Sequence, residues 1–234
     1  MNVIEKFARF FFFAIPLVIL ATVSGGARAE GIPNIGVAVT GGLSGFGGDI
    51  GVGINNYLSV RGSFATFSIS RSGGSYGTSV SWDASLKLTQ TGLLLDMYPF
   101  AGGFHVTAGA VRDGNKFSLT GKPGAGSSYT FNGHTYPAAD IGSASGEVEW
   151  GKTVPYLGVG WGNLGGSKGF HLTSDLGVLF TGSPTVNLTV NCATGFTGCS
   201  TLQTDAAAEQ AKLQNDVHKL SFWPVLRVGV GWTF

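Results

Sequence analysis

The chain has 234 residues, 39 of them glycine, with 43% hydrophobic and 12% charged residues and a formal net charge of +1. Charged residues at about half their usual share, near electrical balance, exclude a polybasic nucleic-acid or lipid-headgroup binder; the hydrophobic share argues against disorder. Glycine at roughly twice its usual share, among alternating Val, Leu and Phe, excludes a helical bundle.

Lys6 and Arg9 make a basic start, residues 10–23 an apolar run interrupted by Pro16, and Ala27-Arg28-Ala29 an A-x-A cleavage site before Glu30. At about 14 residues the run falls short of the ~20 that a spanning helix requires. It predicts a secretory signal peptide over 1–29 and one mature domain over 30–234.

Eight segments then carry the period of two that marks a strand with unlike faces. Ile35, Val37 and Val39 alternate in the first. After glycine-rich 41–48, Ile50, Val52 and Ile54 oppose Asp49, Gly51 and Gly53, and Asn55-Asn56 is a tight-turn pair. Leu58, Val60 and Phe64 oppose Ser59, Arg61 and Ser63, until the run dissolves in a Gly/Ser loop over 70–81. The fourth segment starts at Trp82 with Leu86 and Leu88 on its apolar side and Asp83 and Lys87 on its polar side. A bulge near 90–92 is expected to shift its phase, so that Leu93, Leu95 and Met97 face out and Asp96 faces in. The fifth runs from Phe104 through Val106, Ala108 and Ala110. The sixth is expected within 148–161; the seventh places Phe170, Leu172, Leu176, Val178 and Phe180 outward, against His171, Thr173 and Asp175.

Two excursions interrupt the pattern. In 121–146, Asn132-Gly133 between Phe131 and Tyr136 predicts a hairpin. In 191–219, Cys192 and Cys199, the only cysteines, predict a disulfide in an oxidising compartment. Residues 204–219, with Thr204 as cap and Leu213, Val217 and Leu220 at helical spacing, predict an amphipathic helix on the barrel mouth.

The last segment, 222–234, alternates most cleanly. Phe222, Pro224, Leu226, Val228, Val230, Trp232 and Phe234 are apolar, while Arg227, Gly229, Gly231 and Thr233 lie between them. A terminal aromatic carboxylate closing such a strand resembles the assembly signal of bacterial outer-membrane β-barrels, carried here by Trp232 and Phe234. The runs Gly92-Leu93-Leu94-Leu95-Asp96, Tyr98-Pro99-Phe100, Pro155-Tyr156-Leu157-Gly158-Val159-Gly160-Trp161-Gly162-Asn163 and Asp175-Leu176-Gly177-Val178 resemble a family of exported proteobacterial barrel proteins, similar in plan to small OmpA- and OmpW-like barrels. The resemblance implies an all-β, eight-stranded antiparallel up-and-down barrel in the outer membrane, with lipid and the barrel assembly machinery as partners. Alternation of short and long connections agrees with that topology.

By phase, Asp49, Arg61, Lys87, Asp96, Asp175 and Arg227 all point into the lumen, and three acids against three bases predict an ion-pair network there. His105-Val-Thr107 and His171-Leu-Thr173 are the residues that could suggest lipid hydrolysis or acyl transfer. Both pairs read as facing inward, with no carboxylate placed to orient either imidazole, so no catalytic residue is assigned. His134 and His218 lack metal-ligand spacing, and no metal or cofactor is expected. The glycine-rich runs lie within strands and read as packing positions, not nucleotide loops. Three functions remain open. The first is a structural or surface-interaction barrel, with an extracellular partner and a lumen closed by side chains. The alternatives are a narrow passage or binding cavity for small, apolar molecules and a lipid-modifying enzyme.

Overall fold

A computed structural model describes residues 34–74, 81–122, 124, 126–217 and 221–234. The predicted signal peptide, the predicted cleavage site and His218 lie outside them. Thirteen strands are present among the described residues: β1 (Ile35–Gly42), β2 (Gly45–Asn55), β3 (Leu58–Gly74), β4 (Ser81–Met97), β5 (Phe104–Asp113), β6 (Lys116–Lys122), β7 (Ser128–Phe131), β8 (His134–Pro137), β9 (Ile141–Glu149), β10 (Lys152–Trp161), β11 (Gly169–Leu179), β12 (Thr185–Cys192) and β13 (Trp223–Thr233). One α-helix, α1 (Cys199–Val217), follows β12.

Eight of the strands close an antiparallel ring in the order β1-β2-β3-β4-β5-β10-β11-β13, sealed by β1 against β13. These are the eight periodic segments, and their alternation explains why they close: each has one face for the interior and one for the exterior. Val39, Ile50, Leu93, Leu157, Leu176 and Val228 stand exposed on the outer face, while Asp49, Arg61, Asp96, Asp175 and Arg227 are buried inside. The distribution inverts that of a soluble protein.

The other five strands lie outside the ring: β7 and β8 form the hairpin expected at Asn132-Gly133, and the sheet built by β6, β9 and β12 is the finding the alternation did not foresee. Above the ring, the upper half of β4 leaves β5 and pairs with β6, which pairs with β9, which pairs with β12. Together with the upper half of β3 they form an outer sheet. What reads in sequence as a sixth strand over 148–161 is two strands. β9 ends at Glu149, Trp150 N–H donates to Asn115 O at 3.0 Å, and β10 starts beyond Gly151. Within the expected 70–81 loop, residues 70–74 and Ser81 are strand, because β3 and β4 pair without interruption from Leu58↔Met97 to Gly74↔Ser81, while 75–80 lie outside the described residues.

That continuous register removes the expected bulge at 90–92. Even positions from Leu88 through Gln90 and Leu94 to Asp96 all point inward. Lys87 therefore lies on the outward side, exposed opposite Lys116 on β6, and does not join the lumen charges. The apolar side of upper β4 lies on the inner face of the outer sheet, in phase with the lumen side of lower β4, which is why its polarity looked shifted in sequence.

The predicted hairpin forms as β7–β8. Asn132 (φ 50°) and Gly133 (φ 87°) both take positive φ, the pair of values a type I′ turn needs. Helix α1 begins five residues before the expected cap: Thr204 sits inside it, donating from Oγ1 to Ser200 O at 2.8 Å. It packs on β12 and the β7–β8 hairpin, not on the barrel mouth, and its buried residues are Leu202, Asp205 and Ala206. Leu213 and Val217 are only half-buried. The Cys192–Cys199 disulfide ties the end of β12 to the start of α1.

Candidate functional site

The ring places charges from five strands at one level. Asp49 comes from β2, Arg61 from β3, Asp96 from β4, Asp175 from β11 and Arg227 from β13. Arg61 is the hub. Its Nε and Nη2 donate to both oxygens of Asp96 at 2.8 and 3.0 Å, on the adjacent strand. Its Nη1 and Nη2 also reach both oxygens of Asp175 at 2.8 and 2.7 Å, on the strand diametrically opposite in the ring. A fifth bond joins Nη1 to Asp49 at 3.1 Å. A planar guanidinium with five donors is the side chain able to fork in this way. Arg227 completes the circuit more loosely, to Asp49 at 3.3 Å and Asp175 at 3.4 Å.

Two residues not included in the predicted charge network join this layer from β5. Thr107 Oγ1 donates to Asp96 at 2.6 Å, and His105 Nε2 lies 3.4 Å from Asp175 Oδ1. A carboxylate does therefore meet His105, supplied by a strand 70 residues away, which no local spacing could reveal. His171 sits at the short-turn end of the ring with its Nε2 2.8 Å from Ser167 O. The network holds three carboxylates and two guanidinium groups, and Lys87 contributes nothing to it.

The layers above and below are apolar. Above lie Leu94, Val111, Val154, Tyr156, Leu179 and Val225, all buried, with Trp223 against them. The Tyr156 ring occupies the space that a Cβ on Gly158 or Gly177 would need, so these inward glycines act as its socket. Below, the β10–β11 connection folds into the mouth of the ring and Leu164, 4% exposed, points inside. A Cβ on Gly36, Gly51 or Gly231 would fall within 2.1 to 2.7 Å of a Leu164 atom. Thr233 Oγ1 donates to Leu164 O at 3.0 Å, and Asn34 bonds Gly166 O. A lone leucine between Asn163 and Gly165-Gly166 in a short turn is the only sequence trace of this stopper. Two cavities flank the charged layer, one bounded by Gln90, Tyr156 and Arg227 and the other by Leu164, Tyr98 and His105. Each is about 10 Å³, close to the room for a single water.

The outer sheet carries a second cluster. Asp205 of α1, buried, accepts from Tyr136 Oη at 2.5 Å and Asn132 Nδ2 at 3.3 Å, and lies 2.7 Å from His134 Nδ1. The Tyr136 hydrogen bond, then that of His134, holds the Asp205 carboxyl below the ordinary carboxylate range. The same bond to Asp205 pushes the Tyr136 phenol up to about 12. At the edge of the sheet, Gln214 and Gln210 accept from Val186 N–H and Leu188 N–H at 2.9 Å each, and Gln214 Nε2 donates to Pro184 O at 2.7 Å. Glutamines one helical turn apart thereby replace the missing neighbour strand of β12.

The class these features define is an antiparallel β-barrel with an apolar exterior, a lumen packed by charged and apolar layers, and a helix-backed sheet at one end. The chain is similar to the crystal structures of Acinetobacter baumannii CarO2, at 22% identity, and CarO, at 25%. Each match has a TM-score of 0.55 and covers 88% of this chain and 100% of the other. No protein-family model and no curated protein matches the chain.

Proposed function

We propose that the mature chain is a bacterial outer-membrane β-barrel of the small eight-strand plan that OmpA- and OmpW-like barrels share, with a structural or surface-interaction role. The observation that carries this reading is the outer face of the ring. It is predominantly apolar, broken by Thr91, Arg112 and Ser174, with Tyr57, Phe100, Phe170, Trp232 and Phe234 exposed near the short-turn end and Phe46, Phe180 and Phe222 exposed toward the other. Trp232 lies ten positions beyond Phe222, and at ~3.3 Å per residue and a tilt of ~40° these rise roughly 25 Å, the height of the apolar band of such barrels. Short turns and both described chain ends lie at one end of the ring, which this reading assigns to the periplasm; the outer sheet and α1 are then extracellular. Export requires the signal peptide over 1–29, and insertion requires the assembly machinery to read Trp232 and Phe234.

The lumen is closed in this proposal. Leu164 stoppers one mouth, the apolar layer closes the other, and the guanidinium–carboxylate layer between them leaves cavities of only about 10 Å³. No chemistry is assigned to the two His-x-Thr pairs: the carboxylate beside His105 is engaged by Arg61, and His171 bonds a backbone carbonyl. An epitope inserted between Asn132 and Gly133 tests the placement. It should be detected by antibody on intact cells, and a Phe234 deletion should slow assembly of the heat-modifiable barrel form. An epitope seen only after the outer membrane is breached would overturn the orientation, and unchanged assembly without Phe234 would remove its role as a signal.

A further inference from the structure

We infer that the uncovered half of the outer sheet's inner face binds a long-chain carboxylate. Residues opposite one another in a ladder share a face. Ile69 opposes Leu86, which opposes Phe117, while Arg71 opposes Ala84, which opposes Leu119. The same face continues through Val148 and Val186 on β9 and β12. The reverse face is polar: Ser68, Lys87, Lys116 and Glu149 lie there, and Lys116 bridges Glu147 and Glu149 at 2.7 and 2.9 Å. The sheet is therefore two-faced, and its apolar side needs a cover.

Helix α1 and the β7–β8 hairpin cover only part of it. Val186 and Val190 are buried, and Val190 packs with Leu202, Ala206, Phe131 and Tyr136. Toward β3 and β4 the cover ends: Phe67, Ile69, Trp82 and Leu119 are 36%, 38%, 41% and 42% exposed. Four large apolar side chains contiguous on one sheet face mark a binding surface. This patch has a charged end. Arg71 follows Phe67 and Ile69 on the same face of β3, is exposed, and forms none of the ion pairs of the described residues.

The patch also has a direction. From Arg71 down β3 to Ala65, inside the ring, is six residues, about 20 Å at ~3.3 Å per residue, the length of a long fatty acyl chain. Beside it Leu86 and Leu88 lead toward Leu94 and Val111 of the apolar lumen layer. A cation at the far end and an apolar track toward the barrel fit one amphiphile: carboxylate on the Arg71 guanidinium, tail along Ile69, Phe67 and Leu86. This site lies outside the closed ring and stands whether or not the lumen passes solute.

The test uses the full mature chain, refolded and held in amphipol so that no detergent competes. The probe is 2-bromododecanoate, whose bromine sits beside the carboxylate at Arg71, two ladder positions from Trp82, and quenches tryptophan fluorescence at short range; dodecyltrimethylammonium, of like tail and opposite head, serves as competitor. Saturable quenching is expected in the unaltered protein and should largely vanish in Trp82→Phe. Arg71→Glu should weaken bromododecanoate binding about tenfold, the order of one charge-assisted hydrogen bond, and Arg71→Lys should largely restore it. Arg71 is exposed and forms no ion pair among the described residues, so heat-modifiable migration should be unchanged in both variants. Quenching that never saturates, or that survives Trp82→Phe, would overturn the proposal and leave the patch to a macromolecular partner. Equal competition by the cationic amphiphile, with no effect of Arg71→Glu, would overturn the carboxylate assignment.

Discussion

Replacing Arg61 by leucine removes the one side chain that bonds all three aspartates of the charged layer. Five bonds of 2.7 to 3.1 Å disappear, and Asp96 and Asp175 each lose a two-point partner. Arg227 remains, yet it reaches only Asp49 and Asp175, at 3.3 and 3.4 Å. Breaking a buried pair from one side costs about 3–5 kcal/mol, because the abandoned charge stays buried. We expect the upper end of that range, about 5 kcal/mol, for Arg61→Leu. Arg227→Leu should cost less, about 2–3 kcal/mol, since its contacts are longer and each of its acids keeps Arg61. Arg61→Lys should fall between wild type and Arg61→Leu, because an ammonium cannot reproduce two planar forks. Urea unfolding from phospholipid vesicles, followed by tryptophan fluorescence, supplies the comparison. A loss for Arg61→Leu no greater than for Arg227→Leu would refute the reasoning, since it would mean that water, not Arg61, solvates the carboxylates. Replacing Arg227 and Asp49 together by leucine should recover much of the Arg227→Leu loss.

Other perturbations reach other layers. Cys192 and Cys199 should resist a thiol label until reduced. Reduction should speed hydrogen exchange at the start of α1 but leave the heat-modifiable barrel form intact, because the cross-link spans seven positions outside the ring. Gly36→Ala should expel the Leu164 stopper and expose 162–168 to protease, since its Cβ would lie 2.1 Å from Leu164 O. The contact of the β7–β8 hairpin with α1 should hold at neutral pH and weaken in acid. Asp205 has its pKa depressed in the fold, so its contribution is complete above the ordinary carboxylate pKa of about 4 and is lost as pH falls through the lower folded value. Hydrogen exchange across 202–206 measures it, and Asp205→Asn should flatten the pH response.

The ring was legible in sequence because each of its strands has unlike faces, and a charge on the polar phase has nowhere to go but the lumen. Asp49, Arg61, Asp96, Asp175 and Arg227 follow from that alone. Phase does not say which side is interior, however, and β4 shows the consequence. Leu86 and Leu88 look like lipid-facing residues, yet they line the inner side of a sheet that the ring extends, which leaves Lys87 outside. Partners supplied from across the ring, as Asp175 is for His105, are set by closure and leave no local signal. Helix α1 was visible as a helix, but its Leu213 and Val217 stripe pointed to the wrong contact. Its docking rests on Leu202 and Ala206, with Gln210 and Gln214 hydrogen-bonded to a strand edge. Polar residues that complete a sheet edge resemble solvent-facing residues until the edge is seen.

Planar-bilayer recording of the refolded mature protein tests the central claim, a barrel closed by its own interior. The account predicts insertion without stepwise conductance for the wild-type chain, and steps only when the stopper and the layer behind it are both opened, as in Leu164→Gly combined with Arg61→Ala. Stable unitary steps from the wild-type protein, at a voltage that leaves the bilayer intact, would contradict it.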